Sequence, residues 1–103
     1  MKLIEKLVEM VDEEIEDAKK YAKCALAYKD ERPALAKTFY DLSTDELRHM
    51  TLLHNEVTAV IQRYQQDHGE LPEGMRSLYD YLHGRQIERT AQVRRMQDIY
   101  RGT

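Results

Sequence analysis

Residues 33–53, PALAKTFYDLSTDELRHMTLL, decide how the fold is interpreted. Apolar residues recur every three or four positions, which is typical of an amphipathic helix, and Pro33 suits the first helical turn. The face at heptad spacing runs through Leu35, Phe39, Leu42, Glu46, His49 and Leu53. Such a face points at the core of a helix bundle, yet this one contains a Glu-x-x-His motif. On a helix this motif places a carboxylate and an imidazole one turn apart.

The segment before Pro33 contains a similar interruption. One face at heptad spacing runs through Leu7, Val11, Glu14, Ala18, Tyr21, Ala25 and Tyr28. Glu14 lies within an acidic run, residues 12–17, and Glu13 or Glu16 replaces it on this face if the helix is rotated. An ionised carboxylate without a partner is unfavourable on a face that packs into a core.

A cation held by Glu14, Glu46 and His49 would compensate these polar groups. Carboxylate and imidazole ligands together suit iron, manganese or zinc. Two alternatives remain. The acidic run could be a solvated helix face, and Glu46 and His49 could form a pair on the helix surface.

Length and composition indicate one domain, residues 1–103, built from long helices. The chain has 34% charged and 42% hydrophobic residues, with four Gly and two Pro. Breaks at residues 30–33 and 67–74, the second with two Gly and one Pro, predict helices over about 2–29, 33–66 and 73–100. Residues 43–46, STDE, have the form of a capping box, but the apolar period continues across them and predicts an unbroken helix.

The third helix is expected to face inward through its apolar residues. These are Met75, Leu78, Leu82, Ile87, Val93, Met96, Ile99 and Tyr100. Gly84 indicates a kink or a close helix contact within this helix. The third helix is also basic, because residues 75–103 contain six Arg and three acids, whereas residues 33–74 contain seven acids and three bases. We expect these two segments to attract each other, within the fold or between subunits, with Glu56 pairing with an Arg of the third helix.

Several classes of protein are excluded or disfavoured. The net charge of −3 disfavours nucleic-acid binding. The arginines of the third helix leave such binding as a weaker option. No apolar run approaches the roughly 18 residues of a membrane helix. Charges near the N-terminus argue against a signal peptide. The single cysteine, Cys24, excludes an intrachain disulfide. A reducing cytoplasmic location is therefore expected.

The motifs taken together resemble a known family. Glu14 with Tyr21 seven residues later, Pro33 at the start of a second helix, and the Glu46-to-His49 motif resemble half of a ferritin-like di-iron carboxylate domain. In the full domain, two helix pairs each supply one Glu and one Glu-x-x-His. Rubrerythrins have this pattern twice, whereas encapsulated ferritins have it once and complete the site by dimerising. This chain is similar to the second kind over residues 5–65.

The resemblance implies an all-α, ferritin-like half-bundle: a long antiparallel hairpin and a third helix, completed to a four-helix bundle by homodimerisation. A larger homo-oligomer is compatible with it. Glu14, Glu46 and His49 of each chain would hold two iron ions per dimer, or manganese, with the Glu46 pair bridging. Tyr21 or Tyr28 would lie just outside these ligands, for hydrogen bonding or electron transfer, or would serve in packing alone.

The implied activity is that of a ferroxidase-like oxidoreductase, oxidising iron(II) with oxygen or peroxide. Encapsulated ferritins store iron with a shell protein as partner. The short tail, residues 101–103, has no targeting extension for such a shell, which favours detoxification or a redox role. The alternative function is a non-catalytic helical oligomerisation module with a degenerate ferritin-like fold. Its three polar residues would then form a network that sets helix register.

Overall fold

The computed structural model describes residues 2–103 as three α-helices. Helix α1 spans Lys2–Tyr28, α2 spans Pro33–His68 and α3 spans Glu73–Arg101. No strand occurs in the described range, so the predicted all-α class with three helices is confirmed. The helix ends lie within two residues of the predicted ones, and α2 continues unbroken through residues 43–46. Over residues 2–103, none of the helices is both long and apolar enough to cross a membrane.

Local sequence accounts for the helix ends. Pro33 occupies the start of α2, where its missing N–H group is not needed. Gly69 follows α2 with φ 82° and Gly102 follows α3 with φ 80°. These left-handed conformations favour glycine because it has no Cβ. The N–H group of Gly69 donates to the Gln65 carbonyl at 2.9 Å, which satisfies an acceptor at the end of α2.

Helix α1 packs against both other helices in a molecule of 55 × 20 × 18 Å. It runs antiparallel to α2, because Ser43 lies beside Ala18 and Val57 beside the start of α1. It runs parallel to α3, because Gln86 contacts Val8 and Gln97 lies at the level of Ser43. The order is therefore up, down, up.

The core follows a strict heptad on α1. Its buried members are Ile4, Val8, Val11, Ile15, Ala18, Ala22 and Ala25, and they pack with Leu47, Val57 and Val93. This seam shares Val11, Ala18 and Ala25 with the heptad face that runs through Glu14, but it lies to one side of that face. Leu7, Glu14 and Tyr21 are only partly buried, and Tyr28 is 40% exposed. Within one chain, α1 is covered from two sides, so the heptad richest in apolar residues lies between α2 and α3. The other face lies on the partly exposed side of the antiparallel hairpin, which we call the α1–α2 groove.

The predicted inward face of α3 is wrong at three positions. Leu78, Ile87 and Ile99 are 54%, 58% and 62% exposed. The face toward α1 instead includes two buried glutamines, Gln86 and Gln97. The predicted close contact at Gly84 is also wrong, because a Cβ atom there would meet nothing within 4 Å.

The buried glutamines are tolerated because their amides are hydrogen-bonded. Gln97 donates to Ser43 Oγ at 3.0 Å, and Ser43 Oγ donates to the Ala18 carbonyl at 2.7 Å. Gln86 donates to the Val8 carbonyl and to Asp12. A buried polar group without a partner is disfavoured, so these bonds hold α3 in one register against the hairpin. A hydrophobicity pattern does not reveal such positions.

The predicted attraction between the acidic and basic segments does not take the form of ion pairs between α2 and α3 in the described part of one chain. Arg89 of α3 pairs with Asp12 at 3.4 Å and Glu16 at 2.9 Å, both on α1. Over residues 2–103, no carboxylate of α2 pairs with an arginine of α3. Glu56 is exposed and does not form the predicted salt bridge. Acids at the middle of α1, not those of α2, therefore pair with the basic helix.

Candidate metal centre

The three residues singled out by the sequence come together at the middle of the hairpin. Glu14 lies halfway along α1, and Glu46 and His49 lie one turn apart on α2. Antiparallel packing of the two helices brings them to the same level. They are the one group of three or more His, Cys, Asp or Glu in residues 2–103 with potential ligand atoms all within 4.8 Å of one another.

Their register also selects among the acidic residues of α1. Glu13 is exposed, and Glu16 binds Arg89 on the side facing α3. Of these three glutamates, only Glu14 faces α2. Glu13 and Glu16, the alternative ligands considered from the sequence, lie outside the cluster.

The distances in the cluster suit coordination better than hydrogen bonding. His49 Nδ1 lies 3.5 Å from Glu14 Oε2 and 3.7 Å from Glu46 Oε2. These separations exceed the usual length of a hydrogen bond, about 2.7–3.2 Å. Donors bound to one transition-metal ion at about 2.0–2.2 Å are themselves about 2.8–3.6 Å apart. A small cation therefore fits among the three atoms with little movement.

One buried carboxylate oxygen of the cluster has no hydrogen-bond partner, although His49 Nδ1 lies 3.5 Å from it. Glu14 Oε2 is buried and forms no hydrogen bond. A buried carboxylate oxygen without a partner is unfavourable, and a bound cation would remove that penalty. Two carboxylates and a neutral imidazole are also the donor set that iron, manganese and zinc accept. The residues present fit a metal on these grounds.

The cluster remains open on one side. The exposed side-chain fractions are 25% for Glu14, 18% for Glu46 and 44% for His49. Three protein ligands leave further coordination positions free for solvent, a substrate or additional protein groups.

The neighbouring Glu14 carboxyl alters the titration of Glu46. The pKa of Glu46 is raised above its ordinary value of 4.5, first because a proton on it is shared with the Glu14 carboxyl, then by burial and by repulsion from Glu14. The nearby imidazole of His49 opposes this rise. Without a cation, Glu46 thus holds a proton more tightly in the folded than in the unfolded protein.

The stability of the metal-free protein should depend on pH through Glu46. Because folding raises the pKa of Glu46, the native state binds more protons than the unfolded state. The stability that this proton adds is lost as pH rises from 4.5 through the pKa of the folded protein. Glutamine does not titrate, so Glu46→Gln should not lose stability in this way. The stability of the variant relative to wild type should therefore increase as pH rises. Urea unfolding with a chelator, from pH 4 to 8, measures this difference. A difference in free energy of unfolding between Glu46→Gln and wild type that does not change with pH would contradict the raised pKa of Glu46.

Aromatic rings pack between the cluster and the turn of the hairpin. Phe39 stacks between Tyr21 and Tyr28, with ring centroids 6.3 and 6.1 Å apart. Over residues 2–103, neither tyrosine hydroxyl hydrogen-bonds to Glu14, Glu46 or His49. The observed role of these tyrosines is packing at the turn end of the hairpin.

Two further histidines form a pair that the sequence did not reveal. His54 of α2 and His83 of α3 stack with their centroids 4.8 Å apart, and burial followed by the charge of His83 lowers the pKa of His54. The pair lies in the groove between α2 and α3, away from His49. His83 therefore does not join the candidate metal centre.

Comparison of the chain with protein-family models, with curated proteins and with solved structures found no match. The site must therefore be interpreted from its own geometry. That geometry is an open cluster of two carboxylates and one imidazole on an apolar groove between two antiparallel helices.

Proposed function

We propose that the protein binds iron at a dimer interface and oxidises iron(II), as a ferritin-like di-iron protein. The observation that carries this proposal is the convergence of Glu14, Glu46 and His49, with a buried Glu14 oxygen that has no hydrogen-bond partner. Manganese suits the same ligands. The oxidant would be oxygen or peroxide.

The groove that contains the cluster supports the assembly of two chains. Apolar side chains extend from the cluster toward both ends of the hairpin, partly or largely exposed: Leu3, Leu7, Tyr28, Leu35, Phe39, Leu42 and Val60. Exposed apolar surface of this extent is typical of an interaction site. A second copy packed by two-fold symmetry would cover it and form a four-helix bundle.

The same symmetry would complete the metal site. Two copies together supply four carboxylates and two imidazoles, which matches the ligand set of a di-iron bundle. Four ionised carboxylates balance the charge of two divalent cations. Residues exposed in one chain would then become buried, which strengthens their electrostatic interaction with bound ions.

Iron supplies the redox chemistry when bound, with each iron(II) giving one electron to the oxidant. The protein's residues hold and tune it. Glu14 and Glu46 provide anionic oxygens, which stabilise the higher charge of iron(III). His49 presents Nδ1 toward both carboxylates. The apolar side chains around the cluster would limit the access of water in the dimer.

The decisive experiment is an anaerobic titration of the untagged protein with iron(II). About one iron per chain is expected, because two metals would be shared by two chains. Glu46→Ala and His49→Ala should lose this stoichiometric binding, whereas Glu13→Ala, which changes an exposed neighbouring acid, should retain it. Addition of oxygen or peroxide to the loaded wild type should then produce iron(III), followed by its absorbance.

The titration also separates the proposal from its alternative. If neither iron nor manganese binds stoichiometrically, Glu14, Glu46 and His49 act as a structural network in a helical oligomerisation module. Equal binding by wild type and Glu46→Ala would show that the metal lies elsewhere.

A further inference from the structure

A groove separates α2 from α3 beside the stacked imidazoles of His54 and His83. Its volume is about 400 Å³, and cavities that bind small molecules have volumes of about 300–1,000 Å³. Helix α1 packs along both neighbours, whereas α2 and α3 contact each other only sparsely. None of the three candidate metal ligands lines this α2–α3 groove. A ligand there would occupy a gap between two helices, apart from the metal centre.

The middle of the α2–α3 groove is apolar. Met50 of α2 and both Ile87 and Ala91 of α3 line it. Ile87 is 58% exposed, although it belongs to a concave part of the surface. Burial of apolar surface is favourable in proportion to the area removed from water. The groove therefore suits a ligand with an apolar segment.

Polar groups lie at both ends of this apolar stretch. His54 and His83 form one end, and Thr90 and Arg94 lie toward the other. Burial, followed by the charge of His83, lowers the pKa of His54, so the His54 imidazole is uncharged at neutral pH. Over residues 2–103, Arg94 forms no ion pair. The lining therefore offers a guanidinium that no carboxylate of the chain neutralises.

The lining of the α2–α3 groove contains no carboxylate in the part of the chain that the structure describes. Glu88 comes directly after a residue that lines the groove, and the helical rotation of about 100° per residue turns its side chain away. Two acids a turn beyond the groove on α3 already bind arginines of their own helix: Asp80 pairs with Arg76, and Asp98 pairs with Arg101. The field at Arg94 is therefore positive.

Other cavities of the molecule differ from this one in charge. The groove between α1 and α3 has three acids in its lining: Glu5, Glu9 and Asp12. Three further cavities each include one acid: Asp80, Glu31 and Asp67, respectively. The net charge of the chain is −3, so a lining with one arginine and no acid is a local exception. Electrostatic complementarity favours an anion in the α2–α3 groove.

We propose that the α2–α3 groove binds a small amphiphilic carboxylate, with its carboxylate at Arg94 and its apolar chain along Ile87. A single arginine matches a single negative charge, and guanidinium and carboxylate form paired hydrogen bonds. Thr90 lies one turn before Arg94, so its hydroxyl can donate to the same group. From Thr90 to His83 the groove extends about 10 Å along α3, which is similar to the length of octanoate.

A titration of the metal-free chain with octanoate, followed by NMR of the backbone amides, tests this site. The amides of residues that line the groove should shift, and the shifts should fit a single site. Arg94→Gln should weaken binding by about tenfold, because a hydrogen bond to a charged group is lost. Arg95→Gln removes the same charge at the next residue, which is exposed and outside the groove. It should change the affinity by less than about twofold, since solvent and salt screen an exposed charge.

A second pair of variants tests the apolar part of the groove. Ile87→Glu places an acid in the groove and should abolish octanoate binding, through charge repulsion and loss of apolar surface. Ile99→Glu introduces the same charge at an isoleucine that is 62% exposed and outside the groove, so it should bind octanoate like wild type. Both isoleucines are largely exposed, so neither substitution removes a core residue.

Two further ligands separate the contributions of charge and apolar surface. Octylammonium has the same chain as octanoate and the opposite charge, so it should not shift the amides of the groove. Acetate lacks the apolar chain and should bind far more weakly than octanoate. The proposal is overturned if octylammonium binds the groove as tightly as octanoate, or if Arg94→Gln binds octanoate like Arg95→Gln. It is also overturned if octanoate at millimolar concentration shifts no residue of the groove.

This site is independent of the proposed metal centre. Glu46→Ala should bind octanoate like wild type, because Glu46 does not line the α2–α3 groove. The octanoate and iron titrations therefore succeed or fail separately.

Discussion

Leu35→Lys should dissociate the metal-binding dimer and reduce iron binding together. Leu35 is 37% exposed in one chain, at the start of α2 on the face that carries Glu46 and His49. A lysine at this position leaves the core of the single chain intact. In a two-fold interface the lysine is present in both copies, and both charges must be desolvated. Leu35 occurs twice in a two-fold interface, so a loss of about 1.4 kcal/mol at each copy would weaken the dimer by about 100-fold.

The loss of metal is the more informative part of this result. Position 35 is eleven residues from Glu46, about 16 Å along the helix, so the lysine does not touch the ligands. Iron binding should fall only because the second copy's ligands are absent. Sedimentation and iron titration on the same sample measure both effects.

Leu52→Lys is the matched control for Leu35→Lys. It introduces the same charge at a leucine 56% exposed on the same helix but outside the groove. It should retain both dimer and iron. If Leu35→Lys remains dimeric, the dimer interface does not include this face. If it becomes monomeric with full iron binding, the site does not need a second copy.

Ile15→Ala should cause the largest loss of stability. Ile15 is fully buried at the centre of the core cluster, between Val11 and Ala18. Truncation of a buried isoleucine removes apolar contacts and leaves a cavity, with a cost of about 2–5 kcal/mol. A domain of this size has a free energy of unfolding of about 5–15 kcal/mol, so the variant loses a large part of it.

Urea unfolding at fixed protein concentration and without metal measures this effect. Leu52→Ala, at an exposed leucine, should change the free energy of unfolding by less than about 0.5 kcal/mol. A loss below about 1 kcal/mol for Ile15→Ala would mean that the seam on α1 is packed differently from the arrangement described.

Much of the local structure could be predicted from the sequence because its signals are local. Pro33 and the glycines near residue 69 mark helix ends through backbone sterics, and the apolar period through residues 43–46 indicates an unbroken α2. The spacing of Glu46 and His49 places them together on any regular helix. Their meeting with Glu14 was predicted from heptad frames on two separate helices and is observed.

The packing of α3 could not be predicted in the same way. Leu78, Ile87 and Ile99 are apolar yet exposed, whereas Gln86 and Gln97 are polar yet buried. The buried positions depend on acceptors from other helices, such as the Val8 carbonyl and Ser43 Oγ. A hydrophobicity pattern contains no information about such partners.

The sequence by itself determined three helices, their ends and the polar residues on one face of the hairpin, because backbone sterics and helical periodicity act within a few residues. Only the tertiary structure decided which heptad of α1 is buried, since that depends on the two helices that cover it. It also selected Glu14 from the acidic run and left one of its oxygens without a hydrogen-bond partner. These outcomes depend on the rotation of one helix against another, which is set by the packing of all three helices together.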